Sequence, residues 1–204
     1  RGCAVANNLR QDKRKYMENK TKRNFKEIIA DVEALIFDVD GVMTDGKIIP
    51  IENGDFVRCY YAKDGYALAY AVKHGCNVCV ISGGFGRNLE SRMQRLGIRH
   101  AYLGCMDKIA ALEDFAAKTG ISLERAIYMG DDIPDLECMR RVGVPVAPAD
   151  ACAEVLEEAM YVSEYNGGAG AVRDVIEQVL RVKGIWALDT MGVIANDAAE
   201  TASR

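Results

Sequence analysis

Between residues 34 and 182, six short apolar runs alternate with six amphipathic stretches. The runs are 34–39, 77–82, 100–103, 126–129, 144–147 and 160–162; the stretches between and after them are 65–73, 87–96, 108–118, 134–141, 151–158 and 171–182. A strand that is apolar along its whole length has no face to offer to water, so both of its faces must be covered. The intervening stretches supply the cover, as in 108–118, where Ile109, Leu112 and Ala116 recur at three- and four-residue steps. Pro134 suits a first helical turn. The pattern predicts an α/β fold: a Rossmann-like three-layer sandwich with a parallel sheet and helices on both faces.

One segment breaks the alternation. Residues 46–62, "GKIIPIENGDFVRCYYA", hold two strand-like runs around Asn53-Gly54, a strong hairpin turn signal. This β-hairpin is expected to project beside the end of the first strand, as an insertion, a partial lid or an assembly surface. The expected organisation is a basic N-terminal extension over 1–30, one domain over 31–186 that includes the hairpin, and a mobile tail over 187–204. The sequence opens on Arg1, and Met17 is read as an alternative start. The basic run 10–26 reads as a solvated arm, since the net charge of −4 argues against broad nucleic-acid binding. No run approaches the roughly 20 apolar residues of a membrane span. The seven cysteines show no paired metal-ligand spacing; in the CxxC of Cys76 and Cys79 the two lie three apart on a strand and so face opposite sides. Reduced thiols and no recognisable export signal give cytoplasm as the expected location.

In a parallel sheet the carboxyl ends of the strands share one edge, and ligands bind there. "LIFDVDGVMTDG" brings Asp38 and Asp40 to that edge, "VISGG" brings Ser82 and Gly83, "GCMDK" brings Lys108, and "YMGDDIPD" brings Asp131, Asp132 and Asp135. Each alone has a plain explanation as a cap, a turn or a solvated charge. Together they form an all-oxygen site suited to a hard cation such as Mg²⁺, with a hydroxyl, backbone N–H groups and an ammonium for a phosphate. A carboxylate facing such a phosphate can attack phosphorus, and a second carboxyl two residues on can protonate the leaving alcohol and then activate water.

The motifs "DVDGVMTDG", "ISGG", "MDK" and "GDDIPD", in this order, resemble the four signatures of the haloacid dehalogenase superfamily. With "KDGYAL" and "GGAGAVRDV" they are similar to its cap-less sugar-acid phosphatases, over about 32–186. The resemblance implies Asp38 as nucleophile, Asp40 as general acid/base, and Mg²⁺ held by the Asp38 carboxylate, the Asp40 carbonyl and the Asp131 carboxylate, with Asp132 and Asp135 in support. It implies that Ser82 and Lys108 hold the phosphoryl group, and Gly83, Lys63 and Arg87 are expected near substrate; Asp64 is read either as a substrate contact or as the cap of the following helix. A homotetramer packed through the hairpin is implied as well, with a neighbour's glycine-rich segment at 166–170 reaching the site. The substrate implied is 3-deoxy-D-manno-octulosonate 8-phosphate, used in lipopolysaccharide precursor synthesis; a nine-carbon sugar-acid 9-phosphate is the alternative. Two positions depart from the family. Gly84 stands where many members have an arginine that grips substrate, and "EYNGGAG" lacks their Arg-Pro. A phospho-accepting receiver module and a catalytically silent assembly domain are the competing classes. Asp40 disfavours the first, because a receiver needs no acid/base there; the complete catalytic set disfavours the second.

Overall fold

The computed structural model describes residues 25–52 and 54–188. The arm up to residue 24, Met17, Asn53 and the tail beyond Leu188 lie outside the described residues. The helices are α1 (Phe25–Ile28), α2 (Ala62–Lys73), α3 (Arg87–Arg95), α4 (Lys108–Thr119), α5 (Leu136–Arg141), α6 (Ala153–Glu158) and α7 (Ala171–Val182). The strands are β1 (Ala34–Phe37), β2 (Ile49–Pro50), β3 (Phe56–Val57), β4 (Asn77–Ser82), β5 (His100–Leu103), β6 (Ala126–Met129), β7 (Val144–Ala147) and β8 (Tyr161–Val162).

Six strands pair in parallel in the order β5-β4-β1-β6-β7-β8. Alternation along each strand divides the side chains between two cores. Leu35, Phe37, Val80, Ile127 and Met129 join α2, α3 and α7 on one face. Ala34, Ile36, Cys79, Ile81 and Tyr128 join α4, α5 and α6 on the other. Burial at 25 cal/mol or so per Å² of apolar surface on both faces fixes the strands. The three-layer sandwich is therefore as expected, and so is the separation of Cys79, buried in one core, from Cys76, packed against the other. Residues 25–31 pack against this body: Phe25 stacks on Tyr161 at 4.4 Å between ring centroids and Ile29 is fully buried.

Element ends shift for local reasons. The strand expected over 34–39 stops at Phe37, because the chain turns back and the amides of Val42, Met43 and Thr44 all reach the Val39 carbonyl at 3.3, 2.9 and 3.0 Å. α2 begins at Ala62, before the expected 65, so Asp64 lies inside its first turn and does not cap it. Its Oδ1 instead accepts from the Arg173 amide at 2.8 Å and serves the start of α7. The segment 133–135 is a 3₁₀ turn containing Pro134, and it leads into α5. α4 starts at the Asp107 cap, which accepts from the Ala110 amide at 3.0 Å, and stops at Gly120 in the left-handed region, φ +71°.

β1 lies between β4 and β6, so chain connections run off in opposite directions from its carboxyl end. That reversal opens the crevice where ligands of such sheets bind. The hairpin β2–β3 pairs only Ile49 with Val57 and Pro50 with Phe56. It rests on the loop after β4 and the start of α3: Phe56 meets Phe85 edge-on at 5.8 Å, and the Asp55 carboxylate accepts from the Asn88 amide at 3.4 Å.

Candidate active site

A cleft of about 410 Å³ opens at the carboxyl ends of β1, β4 and β6, lined among others by Asp38, Asp40, Ser82, Gly83, Lys108, Asp131 and Asp135. Asp38 follows β1 directly, its amide still bonded to the Met129 carbonyl of β6 at 3.0 Å. Its side chain is buried. Lys108, first residue of α4, places Nζ 3.0 Å from Asp38 Oδ1 and 2.7 Å from Asp135 Oδ1. Burial works against the charged ammonium, but the Asp38 and Asp135 carboxylates outweigh it and hold the Lys108 pKa above its ordinary value.

Asp135 is fully engaged. Its Oδ1 also accepts from the Tyr128 hydroxyl at 2.7 Å, and its Oδ2 takes the amides of Asp131 and Asp132 at 3.1 and 3.5 Å. It thus orients Lys108 and the loop that carries Asp131. Tyr128 remains a donor, because burial and then the Asp135 charge push its pKa well up. Asp131 is the opposite case, with its Oδ1 buried and unpartnered. It reaches the cleft through the space left at Gly41, where a Cβ would lie 1.9 Å from Asp131 Oδ2 and where φ is +98°.

These side chains answer for one another's charge. Carboxylate oxygens of Asp38, Asp131 and Asp135 lie within 4.8 Å of one another. Burial, then Asp135, raise the Asp38 pKa to about 7 against the pull of Lys108. Burial, then Asp38 and Asp135, raise Asp131 to about 7. One ammonium serves three carboxylates, so ionising all three would leave two negative charges unmatched. With an orphaned oxygen on Asp131, this donor set fits a divalent cation bound by oxygen, the preference of Mg²⁺. Asp38 and Asp131 are the carboxylates free to hold it.

Asp40 is already matched, by a residue the sequence reading did not single out. Arg58, one residue past β3, donates from Nε to Asp40 Oδ1 at 2.7 Å and from Nη2 to Oδ2 at 3.0 Å. The burial rhythm of the hairpin, visible only in the structure, accounts for it: Phe56, Arg58 and Tyr60 are less exposed than Val57 and Cys59. Period-two alternation therefore turned this arginine inward. Ser82 ends β4 buried, its Oγ accepting from the Gly84 amide at 3.0 Å. Lys63 and Arg87 do not join this group. Lys63 lines a different cavity with Tyr61 and Arg173, and Arg87 is exposed at the start of α3. Asp132 lines the same cleft as Asp38 and Asp131, at its exposed rim just before the 3₁₀ turn. The glycine-rich segment presses on the acidic loop of its own chain: the Gly168 amide donates to the Val42 carbonyl at 2.9 Å, and a Cβ at Gly167 would lie 1.8 Å from the Gly41 carbonyl oxygen.

Comparison with known proteins places the chain in a family. Residues 102–176 match the haloacid dehalogenase-like hydrolase family. The 3-deoxy-D-manno-octulosonate 8-phosphate phosphatase of Escherichia coli K12 is 38% identical over 154 residues, 76% of this chain and 82% of the relative. The crystal structure of the same enzyme from Yersinia pestis superposes with a TM-score of 0.76 at 36% identity, covering 78% of this chain and 86% of that one. The Moraxella catarrhalis enzyme, solved with magnesium, phosphate and the sugar acid, gives a TM-score of 0.75 at 29% identity over 88% of this chain and 97% of that one. The chain belongs to the haloacid dehalogenase-like hydrolases, in the family of the 3-deoxy-D-manno-octulosonate 8-phosphate phosphatases.

Proposed function

We propose that this protein is a Mg²⁺-dependent phosphatase of a sugar-acid phosphate, 3-deoxy-D-manno-octulosonate 8-phosphate, acting through a phosphoryl group carried on Asp38. The observation that carries the reading is the cluster of three carboxylates sharing one ammonium at the end of β1, beside the half-buried Lys108 and the buried Ser82. In this role Asp38, Asp131 and the Asp40 carbonyl would hold the cation, which would offset charge on the phosphoryl oxygens and keep Asp38 ionised. Asp38 attacks phosphorus and the bond to the sugar oxygen breaks. Asp40 gives that oxygen a proton, then takes one from the water that hydrolyses the acyl phosphate. Lys108, held by Asp135, and Ser82 bind the phosphoryl oxygens.

The relatives support the substrate class. The named E. coli and Y. pestis enzymes act on 3-deoxy-D-manno-octulosonate 8-phosphate, and the M. catarrhalis structure holds the sugar acid with magnesium and phosphate. Uncatalysed monoester hydrolysis needs up to ~10²¹-fold acceleration, which a fully assembled constellation is required to supply. The test is phosphate release from this substrate, from a nine-carbon sugar-acid 9-phosphate and from glucose 6-phosphate. The first is expected to give the largest kcat/KM, excess chelator to stop release, and Asp38→Asn to lower kcat by at least ~10⁴-fold. Undiminished turnover by Asp38→Asn would end the mechanism; preference for the nine-carbon compound would change the substrate alone.

We also infer a homotetramer, supported by exposed Ile48, Ile49, Ile51 and Val57 on a hairpin too small to bury them. A cytoplasmic location is supported by six free cysteines among the described residues. No helix among the described residues is long and apolar enough to cross a membrane.

A further inference from the structure

Arg58 sits on a largely exposed hairpin, yet its side chain is only 3% accessible. One edge of its guanidinium, Nε with Nη2, is closed on Asp40. The third nitrogen, Nη1, is buried and has no partner. A guanidinium has two forks, and the second, Nη1 with Nη2, pairs with a planar two-oxygen anion as the first does. A desolvated donor left without an acceptor is costly to the free protein and is relieved by a ligand that supplies one.

The surroundings are built around this group. Gly84 is bare where it meets the arginine: a Cβ there would lie 2.6 Å from Nη2, 3.0 Å from Asp40 Oδ2 and 3.2 Å from Ser82 Oγ. Any side chain at position 84 would compete with the guanidinium for its place beside the phosphate-binding serine. Arg58 also lines a second cavity of about 330 Å³ with Phe56, Tyr60, Asn88 and Leu89, and no carboxylate lines that cavity. The hairpin therefore carries a forked cation between the general acid and an adjoining space that no carboxylate lines.

We propose that Arg58 is a specificity-determining residue: its free Nη1–Nη2 edge takes the carboxylate of the substrate while its Nε edge stays on Asp40. The inference rests on the sugar-acid reading above and names the residue that would read the acid. Arg58 then ties the anionic end of the leaving sugar to the carboxyl group that handles its oxygen. A substrate without a carboxylate gains nothing from the second fork.

The experiment compares kcat and KM for 3-deoxy-D-manno-octulosonate 8-phosphate and for glucose 6-phosphate, which lacks the carboxylate, in the wild type, Arg58→Ala and Arg58→Lys, each in the Mg²⁺-loaded full chain. Lysine keeps a charge toward Asp40 but has no second fork. In both variants the ratio of kcat/KM between the two substrates is expected to fall by at least about tenfold, with the loss for the sugar acid appearing mainly in KM. Lysine is expected to restore turnover of glucose 6-phosphate more than it restores the ratio. An unchanged ratio, with the wild type preferring the sugar acid, overturns this inference alone. A parallel fall for both substrates also overturns it, since Arg58 would then act only through Asp40 or the phosphoryl group. A wild type with no preference for the sugar acid removes the substrate reading and this inference with it.

Discussion

The two regions that meet at the site are held in different ways. The acidic edge of β1 and β6 stands on strands buried on both faces, with Phe37 and Met129 fully inaccessible immediately below it. The hairpin has two paired positions, no core of its own, and Ile49 and Val57 turned to the outside. Yet each supplies one cation to the aspartates at the end of β1, Lys108 from the sandwich and Arg58 from the hairpin. The rigid region holds the groups expected to meet phosphate, a demand common to every substrate of this chemistry. The lightly held region presents the group we assign to the part of the substrate that differs from one sugar to the next.

Breaking the rigid side is expected to cost most. Lys108→Met leaves Asp38 and Asp135 buried together without their shared ammonium. Loss of about 10²–10³-fold in kcat is expected, with a fall of about 3–5 kcal/mol in stability when measured in chelator. Steady-state phosphate release and urea unfolding check the two parts; retention of both would mean that Lys108 is a solvated charge.

The charge balance gives a pH signature of middling size. Without metal, burial and like charges raise Asp38 and Asp131 from 3.8 to about 7. A raised carboxyl favours the protonated form in the fold. Its contribution to stability is fully present below about pH 4, the unfolded value, and is lost as pH rises through about 7. Chelated protein should therefore melt several degrees lower at pH 8 than at pH 5, and Mg²⁺ should recover more at pH 8, where its ligands are already deprotonated. A melting temperature in chelator that climbs over this interval would contradict the crowding.

The hairpin surface should show the smallest effect on the folded chain. Ile49→Ser with Val57→Ser changes exposed residues, and stability is expected to move by no more than about 0.5 kcal/mol per site, against about 3–5 kcal/mol for Phe37→Ala in the core. Sedimentation sharpens the contrast. If the hairpin packs copies together, the double variant sediments as a smaller species with the stability of its chain nearly unchanged.

Much of the sandwich was legible because buried parallel strands and amphipathic helices write different periods into the chain. The runs 77–82, 100–103, 126–129 and 144–147 coincide with strands residue for residue. The ends were less legible where a turn or a cap in another element decided them: Val39 leaves the strand to collect three amides, and Asp64 serves a helix more than 100 residues away. Asp38, Ser82, Lys108 and Asp131 could be placed together because each ends a strand or opens the next helix at one sheet edge. Lys63 and Arg87 could not, since nearness to a motif in sequence does not set the direction of a side chain. Arg58 was hidden by the hairpin, a segment whose short strands suggest solvent on both sides.

By itself the sequence determined the layer order of the sandwich and which strand ends carry carboxylates, because burial forces periodicity and a parallel sheet gathers its carboxyl ends on one side. Only the tertiary structure decided how the charges are shared. Asp135 spends both oxygens on Lys108, Tyr128 and two amides, Asp131 keeps one without a partner, and Asp40 is claimed by Arg58. Those assignments depend on distances of about 3 Å between side chains far apart in the chain, and no local pattern encodes such distances.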